Sequence, residues 1–308
     1  VTNPPAQNYP TQGSYTVTLI AGSACGYDTI QRIIVIDSIP IMDLVVTPLE
    51  GCSPLTVVSV NNSQGNSLSY QWFIDGVFTY TSQQIPNQIF TAPVGNNPQT
   101  HTIQLNVFNH CGLVTQTESI IVHPIVNAIF TPSTDTICEG GSVTFTQSST
   151  GDQLTYAWDF DEGTTATTPG PHTITYANPG TYNVELIVNG FCGPDTLVIP
   201  ITVLPYPIAD FTPSTNIGCM PLNVAFTNNS TLGGTYSWNF GTGATRATST
   251  LYNPLPVTYN TGGTSYITLT VNVLGCVSTF LDSVSINPLP VPTFTVTPNN
   301  GCTPLSVA

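Results

Sequence analysis

Apolar and polar residues alternate with a period of two along most of this chain. In 180–188, "GTYNVELIV", Tyr182, Val184, Leu186 and Val188 fall on one side of an extended strand, and Thr181, Asn183 and Glu185 on the other. The same alternation runs through 195–205 ("DTLVIPITVLP"), 209–214 ("ADFTPS"), 223–228 ("NVAFTN") and 263–271 ("GTSYITLTV"). Stretches rich in Gly, Thr, Pro and Asn separate these segments, as turns separate strands. No convincing helical pattern is present.

The alternating segments recur. Cys52, Cys138, Cys219 and Cys302 are spaced 86, 81 and 83 residues apart. Cys25, Cys111, Cys192 and Cys276 are spaced 86, 81 and 84 apart, and Trp72, Trp158 and Trp238 are spaced 86 and 80 apart. Three markers with one period define an internal repeat. Each unit opens on a short alternating run and passes a Cys turn, which three of them write as one heptapeptide ("GCSPLTV" at 51–57, "GCMPLNV" at 218–224, "GCTPLSV" at 301–307). An aromatic strand follows ("YQWFI" at 70–74, "YAWDF" at 156–160, "YSWNF" at 236–240), then a final hairpin with the second Cys in its turn. In the heptapeptide, Gly permits a bend, Pro fixes the backbone before a strand, and Leu and Val return to the core. About seven short strands per unit predict an all-β sandwich. Boundaries near Pro40, Pro124, Pro205 and Pro290 give a C-terminal part of a repeat at 1–40, whole repeats at 41–125, 126–206 and 207–290, and the start of a further repeat at 291–308. Such short linkers predict an extended row of sandwiches.

Composition narrows the function. The chain has 308 residues, of which 40% are hydrophobic and only 6% charged, against about 25% in ordinary soluble domains. It contains no Lys; Arg32 and Arg246 are its only permanent cations, and the net charge is −14. Nucleic acid and anionic membrane surfaces, which need clustered cations, are excluded as partners. No run of 18 apolar residues exists to insert in a membrane. Without Lys there is no Lys–Asn isopeptide cross-link, so a covalent staple must come from cysteine. His101, His110, His123 and His172 occupy no common repeat position, and no nucleophile-elbow, zinc-protease or P-loop motif occurs, so catalysis is not expected.

"YAWDFDEGTTA" at 156–166, followed by "PHTITYANPGTYNVELIV" at 171–188, resembles the polycystic kidney disease (PKD) domain, with its W-x-F-G-D-G turn and G-x-Y-x-V-x-L strand. Repeat 207–290 keeps "WNFGTG" and "GTSYITL"; repeat 41–125 departs most, with "WFIDG" and "HTIQLNV". The resemblance implies immunoglobulin-like sandwiches, an extracellular setting and no enzymatic activity. With a Cys pair in each unit and tandem repetition, the chain also resembles the large secreted surface and gliding adhesins of Bacteroidota, exported by type IX secretion.

In a sandwich of this type the early Cys lies where the chain leaves and the late Cys where it enters, a strand length of about 25–35 Å apart. A disulfide needs Cα atoms about 4.4–6.8 Å apart. Bridges between repeats, Cys52–Cys192 and Cys138–Cys276, are therefore expected, with Cys25, Cys111, Cys219 and Cys302 pairing outside 1–308. Pairing within repeats (Cys52–Cys111, Cys138–Cys192, Cys219–Cys276) is the alternative. Trp72, Trp158 and Trp238 are expected in the cores.

Five Asp residues precede Ser or Thr and then an aliphatic residue. This resembles the O-glycan acceptor of Bacteroidota secreted proteins and would place sugars on Thr29, Ser38, Thr136, Thr196 and Ser283, making the chain a glycoprotein. The plainer reading is an Asp turn entering a strand. Asp159, Asp161 and Glu162 form a weak calcium candidate that the other repeats lack, set against a solvated turn; no other cofactor is expected. The resulting expectation is a non-catalytic stalk or filament segment of a bacterial cell-surface adhesin. Its partners would be neighbouring repeats, surface glycans or other filaments. A spacer in a secreted polysaccharidase or protease and a glycan-binding module are the alternatives.

Overall fold

The structure, a computed structural model, describes residues 4–296 and 300–304. Residues 305–307, which end the last heptapeptide, lie outside the described residues. Among the described residues there are 27 strands and no helix, hence no helix able to cross a membrane. β1 (Gly13–Ser23) and β2 (Gly26–Ile36) form a hairpin. Repeat 41–125 holds β3 (Leu44–Thr47), β4 (Glu50–Cys52), β5 (Leu55–Asn61), β6 (Ser69–Ile74), β7 (Val77–Tyr80), β8 (Gln88–Phe90), β9 (Gln99–Asn109) and β10 (Gly112–His123). Repeat 126–206 holds β11 (Phe130–Pro132), β12 (Thr136–Cys138), β13 (Ser142–Gln147), β14 (Thr155–Asp159), β15 (Thr165–Ala166), β16 (His172–Thr175), β17 (Gly180–Gly190) and β18 (Gly193–Leu204). Repeat 207–290 holds β19 (Phe211–Pro213), β20 (Ile217–Cys219), β21 (Leu222–Val224), β22 (Phe226–Asn228), β23 (Thr235–Asn239), β24 (Thr248–Ser249), β25 (Val257–Tyr259), β26 (Gly263–Val273) and β27 (Cys276–Asn287).

The chain falls into two compact units. The first comprises Val1–Thr131, Thr146–Pro171 and Glu185–Val198; the second comprises Pro132–Phe145, His172–Val184 and Ile199–Ala308. Repeat 126–206 therefore contributes strands to both.

Within the first unit, a five-stranded sheet (β4-β10-β9-β6-β7) and a three-stranded sheet (β3-β5-β8) form a sandwich. The alternation dictates its filling: Leu44, Val46, Val57 and Phe90 from the smaller sheet meet Trp72, Ile103, Leu105, Val107, Ile120 and Val122 from the larger. Alternate residues of β10 face out, which gives the in–out burial along that strand. β6 and β7 join through Asp75-Gly76, both at positive φ (50° and 75°), the two-residue turn that favours this dipeptide. The "WFIDG" departure from the repeat pattern is therefore a tight hairpin. In the same unit β14 pairs with β15 and with the second half of β17.

Within the second unit, β12 runs parallel to β18, and β13 pairs with β16. Repeat 207–290 repeats the sandwich, with sheet β20-β27-β26-β23-β24 facing the ribbons β19-β22 and β21-β25. Its core gathers Phe211, Phe226, Trp238, Phe240, Tyr259 and the inward residues of β26 and β27.

Three local expectations change. Each whole repeat has eight or nine strands rather than about seven. One extra comes from the Cys heptapeptide, which is not only a turn: Glu50–Cys52 pairs parallel with the end of β10, and Ile217–Cys219 with the end of β27. The run 223–228 is divided, because β21 pairs with β25 while β22 pairs with β19. The Asp-Ser/Thr motifs are mostly not turns at strand starts. Asp28, Asp195 and Asp282 lie inside β2, β18 and β27, because these hairpin strands extend 11 or 12 residues.

Candidate functional site: the disulfide-bridged joints

The chain's chemistry-bearing residues gather where one repeat meets the next. The structure joins Cys52 to Cys192 (S–S 2.15 Å, Cα–Cα 5.6 Å) and Cys138 to Cys276 (S–S 2.07 Å, Cα–Cα 5.6 Å). The first bridge lies within the first unit and the second within the second unit. Each links the early Cys of one repeat to the late Cys of the next. Cys25, Cys111, Cys219 and Cys302 are unpaired and exposed.

A common backbone frame sets these bridges. The residue opposite each early Cys in the parallel ladder is His123 for Cys52, Leu204 for Cys138 and Asn287 for Cys219. The amide after each Cys donates to that residue's carbonyl: Ser53 to His123 (2.9 Å), Glu139 to Leu204 (2.8 Å) and Met220 to Asn287 (3.0 Å). The parallel strand thus fixes the early Cys beside the last residue before the linker.

The side chains at these positions differ. The His123 side chain is 4% exposed. Its Nδ1 lies 2.6 Å from Asp152 Oδ2 and its Nε2 lies 2.8 Å from Glu50 Oε1. Its ring stacks on Phe191 with centroids 3.6 Å apart, and the Cys192 sulfur lies 3.7 Å from its carbonyl oxygen. The Gly151 amide adds bonds to Gly95 O (2.9 Å) and Asn96 Oδ1 (3.2 Å). Between 1–40 and 41–125, Asp37 meets Asn66 Nδ2 (2.7 Å) and His110 Nε2 (3.3 Å), while Asn109 donates to Ser38 O (2.9 Å). At the joint bridged by Cys138–Cys276, Leu204, Pro205, Tyr206, Ile208 and Val273 line a largely apolar hollow together with Thr231, whose hydroxyl accepts from the Ile208 amide (2.8 Å), and Glu139 accepts from the Tyr206 amide (3.2 Å). The sequence reading missed these joint residues. The available signal was a His directly before the Pro124 linker, at the position where the other repeats carry Asp37 and Leu204.

The remaining candidate residues lie elsewhere. Trp72, Trp158 and Trp238 are at most 2% exposed, and each indole N–H donates to a loop carbonyl: Ser82, Thr168 and Leu251. Thr29, Ser38 and Thr196 are exposed; Thr136 and Ser283 are half-buried. Asp28 and Asp282 accept the amides of Thr29 and Ser283, both at 2.8 Å. Asp159 closes its turn on the Asp161 amide (2.9 Å), as Asn239 does on Gly241 (3.0 Å). Among the described residues no three His, Cys, Asp or Glu side chains converge as metal ligands would.

No curated protein matches the chain. Among solved structures, the eight N-terminal Ig domains of Down syndrome cell adhesion molecule (DSCAM) are 15% identical with a TM-score of 0.47. That alignment spans 91% of this chain but only 40% of the other. The I67–I69 fragment of titin is 12% identical over 82% of this chain and 99% of its own, with a TM-score of 0.39. Three N-terminal domains of the Hoc protein of bacteriophage RB49 are 9% identical over 83% and 100%, with a TM-score of 0.36. Residues 121–203, which contain nearly all of repeat 126–206, match the PKD domain family.

Proposed function

We propose that this chain is a non-catalytic stalk segment of a large secreted bacterial surface adhesin serving attachment or gliding. The observation that carries the reading is that both disulfides cross from one repeat to the next instead of closing within a repeat. A bridge inside one sandwich stabilises that sandwich; a bridge across a joint limits motion between neighbours. Disulfides of this kind suit an oxidising, extracellular setting. The exposed Thr29, Ser38 and Thr196 leave room for the proposed O-glycans.

An antibody against this chain, used on a denaturing gel of whole cells and on intact cells, tests the reading. A cell-retained product of several hundred kilodaltons supports a stalk. A shed product of ordinary enzyme size overturns it and makes the repeats a spacer.

A further inference from the structure

We infer that His123 is a positioning residue for the neighbouring disulfide: it docks the trailing end of repeat 41–125 onto the leading end of 126–206, and so selects Cys192 as the partner of Cys52. The inference rests on the joints and does not depend on the stalk reading.

The backbone frame around the early Cys is the same in all three whole repeats, so the frame alone cannot tell one late Cys from another. With eight cysteines at repeated positions, similar sandwiches folding in one chain are prone to wrong pairing. What differs is the side chain opposite the Cys and the surface it meets. His123 presents two nitrogens to two acceptors, Glu50 from its own repeat and Asp152 from the next. Ionised carboxylates only accept, so the ring can bond on whichever side carries a proton, and on both as imidazolium. Phe191, directly before Cys192, supplies the flat surface on which the ring lies.

Exchanging partners breaks the match. The loop that carries Asp152 is one residue shorter in repeat 207–290, where it reads Leu232-Gly233-Gly234 and offers no side-chain acceptor. Thr231, directly before it, lines a largely apolar hollow with Leu204, and its hydroxyl already accepts from the Ile208 amide (2.8 Å). A histidine there would lose its partners, and a leucine at 123 would leave the Asp152 carboxylate, 14% exposed, without its own. Asp37 placed against Asp152 would set two carboxylates together. The three joints are thus an acid with an amide and an imidazole, an imidazole with two carboxylates, and a mainly apolar contact whose polar groups, Glu139 and Thr231, already accept from backbone amides. Each leading end fits one kind of trailing end.

The bond itself forms by thiol–disulfide exchange. Cys52 and Cys192 pass two electrons and two protons to an external disulfide such as oxidised glutathione, which leaves as two thiols. His123 takes no part in the exchange; it holds the two sulfurs within reach.

The test is oxidative refolding of the full reduced chain in a glutathione buffer, with disulfides mapped over time. In the unaltered chain, Cys52–Cys192 and Cys138–Cys276 are expected to form at comparable rates. His123→Leu should slow Cys52–Cys192 by about tenfold and raise species in which Cys52 joins Cys111 or Cys276, while Cys138–Cys276 is unaffected. The double variant His123→Leu/Asp152→Leu, which imitates the apolar joint, should restore correct pairing. A general folding defect would slow both bridges and would not be rescued, which overturns the proposal. Unchanged pairing in His123→Leu overturns it as well. Leu204→His, the reciprocal change, should impair Cys138–Cys276 alone.

Discussion

Cys52 and Cys192 stand 140 residues apart in the chain and 5.6 Å apart at Cα. A peptide map of the non-reduced chain should therefore contain Cys52 joined to Cys192 and Cys138 joined to Cys276. Cys25, Cys111, Cys219 and Cys302 should be alkylated without prior reduction. Finding Cys138 joined to Cys192 would refute the joint description, because it would place both bridge ends inside one repeat.

The Trp at the centre of each sandwich carries a large share of the core. Trp72 is fully buried among Leu44, Val46, Val57, Phe90, Ile103 and Leu105, and its N–H is bonded to Ser82 O. Trp72→Ala should cost about 3–5 kcal/mol, read as a lowered urea midpoint for the transition of repeat 41–125. The transition of repeat 207–290, with its own Trp238, should stay in place.

Tyr259 offers a probe of repeat 207–290 alone. It is fully buried and donates to Phe240 O at 3.0 Å. Burial pushes its phenol up from 10.0 to about 12, against a smaller downward pull from the hydrogen bond with Ser265. The neutral form is the one the fold favours. Its contribution is therefore complete below pH 10 and is lost as pH rises from 10 to about 12, amounting to about 2–3 kcal/mol. Tyr259→Phe should flatten the loss of stability of this repeat over that interval, as followed by Trp fluorescence. An equally steep loss in the variant would contradict the assignment.

Hairpin β1–β2 should be the least protected sheet. Val17, Leu19, Ile34 and Ile36 stand one repeat length before Ile103, Leu105, Ile120 and Val122, which are all 0% exposed. In the hairpin, Val17, Leu19 and Ile34 are 38%, 58% and 37% exposed. Its amides should exchange with solvent well before those of β9 and β10, measured by hydrogen exchange with mass spectrometry. Equal protection would mean that another surface covers this face.

The sandwich was legible in the sequence because its cause is local. Period-two alternation in β9, β10, β26 and β27 dictates which side chains face inward, and three Trp at one spacing mark the matching strand. The short parallel strands were not legible, since "GCSPLTV" carries turn residues and three paired residues leave no periodic trace. Nor was the role of His123. Its partners Asp152 and Glu50 lie 29 and 73 residues away, and only the meeting of two repeats brings them together. Residues of an inter-repeat joint follow no repeat pattern when each joint uses a different chemistry.

The two bridges interlock. The loop closed by Cys52–Cys192 and the loop closed by Cys138–Cys276 share residues 138–192. Tension applied at the two ends of the chain would cross from Cys52 to Cys192, run back to Cys138 and leave at Cys276. Of the 224 residue steps from Cys52 to Cys276, only the 54 from Cys138 to Cys192 lie on that path. At about 3.3–3.6 Å per extended residue, even complete unfolding would lengthen this stretch to roughly 18–19 nm instead of roughly 74–81 nm. The ladder of bridges thus caps how far the chain can give way, independently of how strongly any one sandwich resists.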